Sequence, residues 1–324
     1  MIIESNHRKI EIDIMKGIAI LCVMLGHADW YPNILGRLIY SFHIPLFFIV
    51  SGYFAKTFAE CNWKQYLVKN FKQLVLPYIV VASVCCLFSL IVSVYKGESS
   101  YFTHNVCRYL FALDNVYENT LFDKPITYVW FLIALFWGKL FFYLFSRFDR
   151  WGLVVCACLS IVMIILHPCI TTPFCIGRGI ESLIFIVIGY SVRKYKIPII
   201  LYVVAIICWP ISLYFGGIDL FAYKFNYLPI DIIGACGGTL AIYYLSKLLK
   251  RTVVSPILSW CGRNSMVILC AHTIECSIPV IPFIVKLLPV SLPQFVYYGV
   301  RHITSILASW IYTSCKARVV NVMK

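Results

Sequence analysis

The chain has 324 residues, 61% of them hydrophobic and only 13% charged, with 28 Lys and Arg against 14 Asp and Glu. A water-soluble domain is normally about half apolar and about a quarter charged. A mean hydropathy of +0.85 therefore excludes an ordinary soluble enzyme, a disulfide-stapled secreted domain and a disordered tail. The expectation is an all-α polytopic integral membrane protein, one transmembrane domain over 1–324 with no attached soluble domain.

A helix that crosses a bilayer needs about 20 mostly apolar residues. Ten intervals qualify: 10–28, 37–54, 74–95, 128–146, 151–168, 177–192, 198–215, 227–246, 264–285 and 294–314. The first carries Asp13 and Lys16 and lacks a small-residue cleavage site, so it is not a removable signal. With the N-terminus inside, the inner segments hold Lys and Arg over the outer ones by roughly two to one, which predicts both termini in the cytoplasm. The net charge of +14 thus reads as positive inner loops, not as a nucleic-acid surface, because no basic stripe with interleaved aromatics occurs. Most of the 15 cysteines lie in apolar runs and behave as small hydrophobes; no metal-ligand spacing appears, and Cys169 and Cys175 are a candidate bridge.

Ionisable groups inside a membrane are costly and are functional candidates. In the first span, Lys16 and His27 are eleven steps apart, which on a helix is three turns plus about 20° and roughly 16 Å of rise. Asp13 lies one turn before Lys16 on the same side. One face then carries a carboxylate and an ammonium near the cytoplasm and an imidazole near the outer end. Lys16 snorkelling to the interface, paired with Asp13, is the plainer alternative. In the second span His43, Phe47 and Ser51 recur every fourth residue, and Pro45 follows His43 closely enough to free a backbone carbonyl. A kinked packing helix is the plainer reading there.

Further along, Arg178 and Glu181 are spaced for an ion pair or for contact with an acceptor. Asp231 is placed to bind hydroxyls or to cap a loop. Asn264 and Ser265 mark the inner start of a helix that carries His272, with Glu275 as its candidate partner.

The string RKIEIDIMKGIAILCVMLGH, followed by FHIPLFFIVSGYF, resembles the opening of the membrane-bound acyltransferase-3 family. Its recurrent signature is a Lys or Arg, ten residues, then a His, which Lys16 and His27 match. LVLPY, WFLIAL, IGY and GRNSMVILCAH follow in the family's order. Within the family the chain looks most similar to fucose 4-O-acetylase-like sugar O-acetyltransferases. The resemblance implies transfer of an acetyl group from cytosolic acetyl-CoA to a hydroxyl of a cell-envelope or exported glycan, at the plasma or inner membrane.

Under that reading His27 is the general base, with Lys16 and Asp13 beside it in the catalytic set, or else it carries the acetyl group itself. His43, Ser51 and Asn264 are candidate oxyanion donors. Arg178, Glu181 and His272 join His43, Ser51 and Asn264 as substrate-binding candidates. Arg8, Lys9, Lys16, Lys69, Lys72 and Arg263 attract the polyanionic nucleotide of acetyl-CoA. The expected partners are acetyl-CoA, a glycan or lipid-linked sugar and membrane lipids, with no nucleic acid and no metal; a homo-oligomer is left open. The competing function is an exporter or flippase of a lipid-linked sugar.

Overall fold

The computed structural model describes residues 9–28, 32–113, 120–123, 126–278 and 293–322. The regular elements of the described residues are helices apart from a two-stranded antiparallel hairpin, β1 (Ile218–Asp219) and β2 (Lys224–Phe225). Among the described residues, four helical runs are long and apolar enough to cross a membrane: Asn33–Tyr53, Trp63–Lys96, Trp130–Leu166 and Leu228–Leu249. A fifth arises if Pro173–Glu181 and Leu183–Lys194, bent by 46°, count as one. Contacts divide the chain into two compact units.

The first unit holds residues 1–47, 197–219 and 224–268. Its centre is α1 (Ile10–Gly26). Ile14, Ala19 and Ile20 are fully or almost fully buried, as expected of a helix that is apolar nearly all round. The predicted span 37–54 lies within the helical run Asn33–Tyr53, which a two-residue turn at Ser41 and Phe42 divides into α2 (Asn33–Tyr40) and α3 (His43–Tyr53). Pro45 therefore sits in the first turn of α3, where a missing N–H is harmless. α11 (Ile199–Tyr214) packs on α12 (Leu228–Leu249), and α13 (Ser255–Arg263) packs on α1.

The α1–α13 crossing depends on glycine. A Cβ on Gly17 would lie 2.0 Å from the carbonyl oxygen of Leu258, and one on Gly262 would lie 1.7 Å from that of Asp13. Small residues allow such backbone approach. The pairing of 17 with 258 and 13 with 262 makes the helices antiparallel, so the C-terminal end of α13 lies at the N-terminal end of α1.

The second unit holds residues 48–196, 220–223 and 269–324. The predicted span 74–95 is the later part of a longer helical run: α4 (Trp63–Asn70), a π-helical turn Phe71–Val75, and α5 (Leu76–Lys96). α6 (Ser100–Phe111) follows. α7 (Trp130–Phe145) and α8 (Asp149–Leu166) are joined through a short 3-10 turn and Asp149, whose φ is +50°. A Cβ on Gly152 would lie 1.9 Å from the Phe145 carbonyl oxygen, so the chain turns at Asp149 and the two helices, of 16 and 18 residues, do not form one rod. α9 (Ile176–Glu181) and α10 (Leu183–Lys194) bend at Ser182, and α14 (Ser265–Ser277) and α15 (Gln294–Val322) complete the chain. Cys169 and Cys175 are both free thiols, so the candidate bridge is absent.

Candidate active site

In α1, Asp13 is 4% exposed, and its Oδ1 lies 3.3 Å from the Lys16 ammonium. The expected one-turn pair is therefore formed. α13 delivers Arg263 and Asn264 to the same end of α1, because Gly262 crosses at Asp13. Arg263 is exposed, and Lys250 pairs with Glu11 at 3.2 Å. Lys9, Lys16, Lys250 and Arg263 thus gather around the N-terminal half of α1, a positive region that attracts phosphates. Arg8 lies outside the described residues.

Two sequence expectations change here. Asn264 reads in the sequence both as the inner start of a helix and as one of three candidate oxyanion donors. Its amide instead donates to the Trp260 carbonyl at 2.9 Å, and it sits at the Asp13 end of α1. His27 was placed on the helix face of Lys16. α1 closes at Gly26, however, and His27 is its C-cap, with φ −100° and ψ 12°. The helical angle carries only to Gly26, about 15 Å of rise beyond Lys16.

At that far end Tyr40 joins two elements. Its hydroxyl donates to the carbonyl of Gly26 at 2.8 Å, next to His27. Its ring meets the His43 ring edge-on, centroids 5.2 Å apart. His43 is 3% exposed, and its Nδ1 lies 2.6 Å from the Ile39 carbonyl. A carbonyl only accepts, so Nδ1 carries the hydrogen and the neutral ring keeps its lone pair on Nε2. In that neutral tautomer Nε2 is an acceptor, suited to a hydroxyl and not to an oxyanion. The sequence missed Tyr40, whose role depends on the break between α2 and α3. Asp231 takes the capping role: it accepts from Ser212 at 2.5 Å and from the Tyr227 N–H at 2.7 Å.

The second unit holds the remaining candidates. Ser51 is half-buried on α3. Arg178 is 3% exposed, and its guanidinium lies 4.6–4.8 Å from the ring centres of Tyr223, Phe221 and Trp130. Its Nε donates to the Tyr223 hydroxyl. Glu181 is also buried, with Oε2 at 3.3 Å from His167 Nδ1. The ring of His272 stacks on Tyr128, 5.4 Å between centroids. Glu275, its expected partner, makes a 2.7 Å ion pair with Arg301.

His272, Glu275 and Cys276 place ligand-type atoms within 4.8 Å of one another. Arg301 also donates to Cys276 Sγ at 3.1 Å, so a guanidinium already supplies positive charge to this group. Lys69 borders a cavity in this unit, and Lys72 is exposed on the adjoining π turn.

These elements define a multi-pass membrane protein with ionisable side chains placed along apolar helices. The chain belongs to the acyltransferase-3 family: residues 9–314 match the family model described as an acyltransferase domain. It is thus an acyltransferase of the membrane type. No curated protein and no solved structure matches the chain.

Proposed function

We propose that the protein is an O-acetyltransferase that moves an acetyl group from cytosolic acetyl-CoA to a hydroxyl of a cell-envelope or exported glycan. The observation that carries the reading is Tyr40, which ties the end of α1, next to His27, to His43. Two imidazoles at one end of a helix whose other half is cationic suit a donor that is a polyanion at one end and a thioester at the other. Lys9, Lys16 and Arg263 form one candidate nucleotide-holding set, and Lys69 and Lys72 form a separate one in the second unit. The pantetheine arm runs along α1 from Lys16 toward His27. Asp13 fixes Lys16 and takes no proton.

In the reaction, neutral His27 accepts the proton of the acceptor hydroxyl. The oxygen attacks the thioester carbon, and the ester C–O bond forms as the C–S bond breaks. CoA leaves as thiolate and takes the proton from His27, restoring the neutral base. His43 Nε2 holds the acceptor by accepting from one of its hydroxyls. Ser51, Arg178, Glu181 and His272 are acceptor-binding residues. The chain crosses the plasma or inner membrane ten times with both termini in the cytoplasm.

The test is incubation of the purified chain with acetyl-labelled acetyl-CoA and membrane glycan. Label entering the glycan as an alkali-labile ester supports the reading. Sugar counterflow in liposomes without acetyl-CoA, and no ester, overturns it in favour of a transporter.

A further inference from the structure

The second unit contains a cavity of about 200 Å³ whose border includes Lys56, Gln65, Tyr66, Lys69, Asn70 and Lys139. No carboxylate lines it among the described residues. Lys139 is the one charged residue of α7, in the run WFLIALFWGKLFFYLF. An ammonium on so apolar a helix is costly, and the neighbouring lysines add repulsion. Such an arrangement is stabilised by an anion.

The cavity is also pre-shaped. The Tyr66 hydroxyl donates to the Lys139 carbonyl at 2.9 Å, tying α4 to α7. The Tyr66 ring stacks on Tyr143 at 4.0 Å, and the Tyr143 hydroxyl donates to the Cys61 carbonyl at 2.6 Å. Asn70 is 3% exposed and donates its Nδ2 to the Tyr66 carbonyl at 2.8 Å. Its buried Oδ1 has no hydrogen-bond partner among the described residues. A π turn, a distortion frequent at functional sites, starts at the next residue. The fitting ligand combines concentrated negative charge with an N–H or O–H for Asn70. A phosphate ester of a nucleotide or a polyol has both; a fatty acyl chain has neither.

We propose that this cavity is a phosphate-ester site, with Lys139 as its fixed cation and Asn70 Oδ1 accepting from a hydroxyl or amino group of the same ligand. Two sources share that chemistry. One is the nucleotide end of the acyl donor, which rests on the function proposed above. The other is a phospholipid headgroup with free hydroxyls.

The experiment uses the full chain in nanodiscs of phosphatidylcholine, with or without phosphatidylglycerol. Binding of CoA and of pantetheine is measured by calorimetry, and retained phosphatidylglycerol by native mass spectrometry. Lys139→Met should weaken CoA or phosphatidylglycerol at least roughly tenfold, the scale of one charge-assisted hydrogen bond. Lys139→Arg should keep most of the affinity, and pantetheine binding should not change. Lys69→Glu, at an exposed position, should weaken the same ligand and carries the test if Lys139→Met does not fold. Loss confined to CoA identifies the donor; loss confined to phosphatidylglycerol identifies the lipid. Wild type that binds CoA, with both variants unaffected for either ligand, overturns this proposal and leaves the acyl-CoA reading standing. Wild type that binds no CoA but loses phosphatidylglycerol in the variants overturns the acyl-CoA reading and supports this site. Wild type that binds neither overturns both.

Discussion

The hydroxyl of Tyr40 donates to the carbonyl of Gly26 at 2.8 Å, and that bond ties α2 to the end of α1 where His27 begins the next stretch of chain. Gly26 is buried, so its carbonyl has little access to water. Tyr40→Phe keeps the ring against His43 and removes only the donor. The expected cost is about 1–2 kcal/mol of stability, with acetyl transfer falling roughly tenfold through looser placement of the two imidazoles. Thermal unfolding in detergent and labelled-acetate transfer check the two effects separately. Unchanged transfer with lowered stability leaves Tyr40 a packing residue.

The Asp13–Lys16 pair separates structural from chemical roles. Asp13→Asn replaces the carboxylate beside the Lys16 ammonium with a neutral amide. The expected loss is about 1–3 kcal/mol, below the figure for a fully buried pair because the Lys16 side chain is 24% exposed. Adding Lys16→Met to Asp13→Asn removes the ammonium as well and should recover most of that stability. If Lys16 serves the donor, the double variant stays weak in acetyl-CoA use, read as a raised KM. Recovery of both stability and KM makes the pair structural only.

Gly262→Ala tests the helix crossing that positions this pair. The added carbon would lie 1.7 Å from the Asp13 carbonyl oxygen, closer than any real contact. Overpacking against backbone costs typically 1–3 kcal/mol and occasionally more, and the upper end is expected here because backbone cannot rotate away. The thermal midpoint should fall clearly, while alanine at exposed Arg263 leaves it unchanged. An undisturbed midpoint for Gly262→Ala contradicts the α1–α13 geometry.

A neutral imidazole base predicts the sign of the pH dependence. Protonated His27 has no lone pair to offer, so transfer should fall as acid protonates it and recover when the pH is raised. The same measurement on His27→Gln should give a slow, flat profile. A flat profile for the wild type excludes rate-limiting proton removal by histidine.

Much of α1 was legible in the sequence because its evidence is local. The spacing from Asp13 to Lys16 is one helical turn, and the structure places their charged groups 3.3 Å apart. The short turn at Ser41 and Phe42 within the run was not legible, because an apolar run with one proline does not say where the helix pauses. His27 and His43 were both picked out, but the hydrogen bond that fixes His43 in one tautomer comes from Ile39, an ordinary apolar residue in the pattern. The inner placement of Asn264 is legible as a helix start, but its position beside Asp13 emerges only from the antiparallel crossing at Gly262. Lys139 had a visible signal, a lysine inside an otherwise uncharged helix. Its neighbours Lys69 and Asn70 lie about 70 residues earlier, a pairing that only the folded chain reveals. Arg301 as the partner of Glu275 escaped notice for the same reason.

The most direct test of the account is single-turnover transfer from acetyl-labelled acetyl-CoA to membrane glycan by wild type and His27→Gln, with CoA affinity measured on both. The account predicts a loss of roughly 10²–10⁴-fold in transfer, the scale of one general base, with CoA affinity unchanged within about twofold because His27 does not hold the nucleotide. Transfer by His27→Gln at the wild-type rate contradicts it.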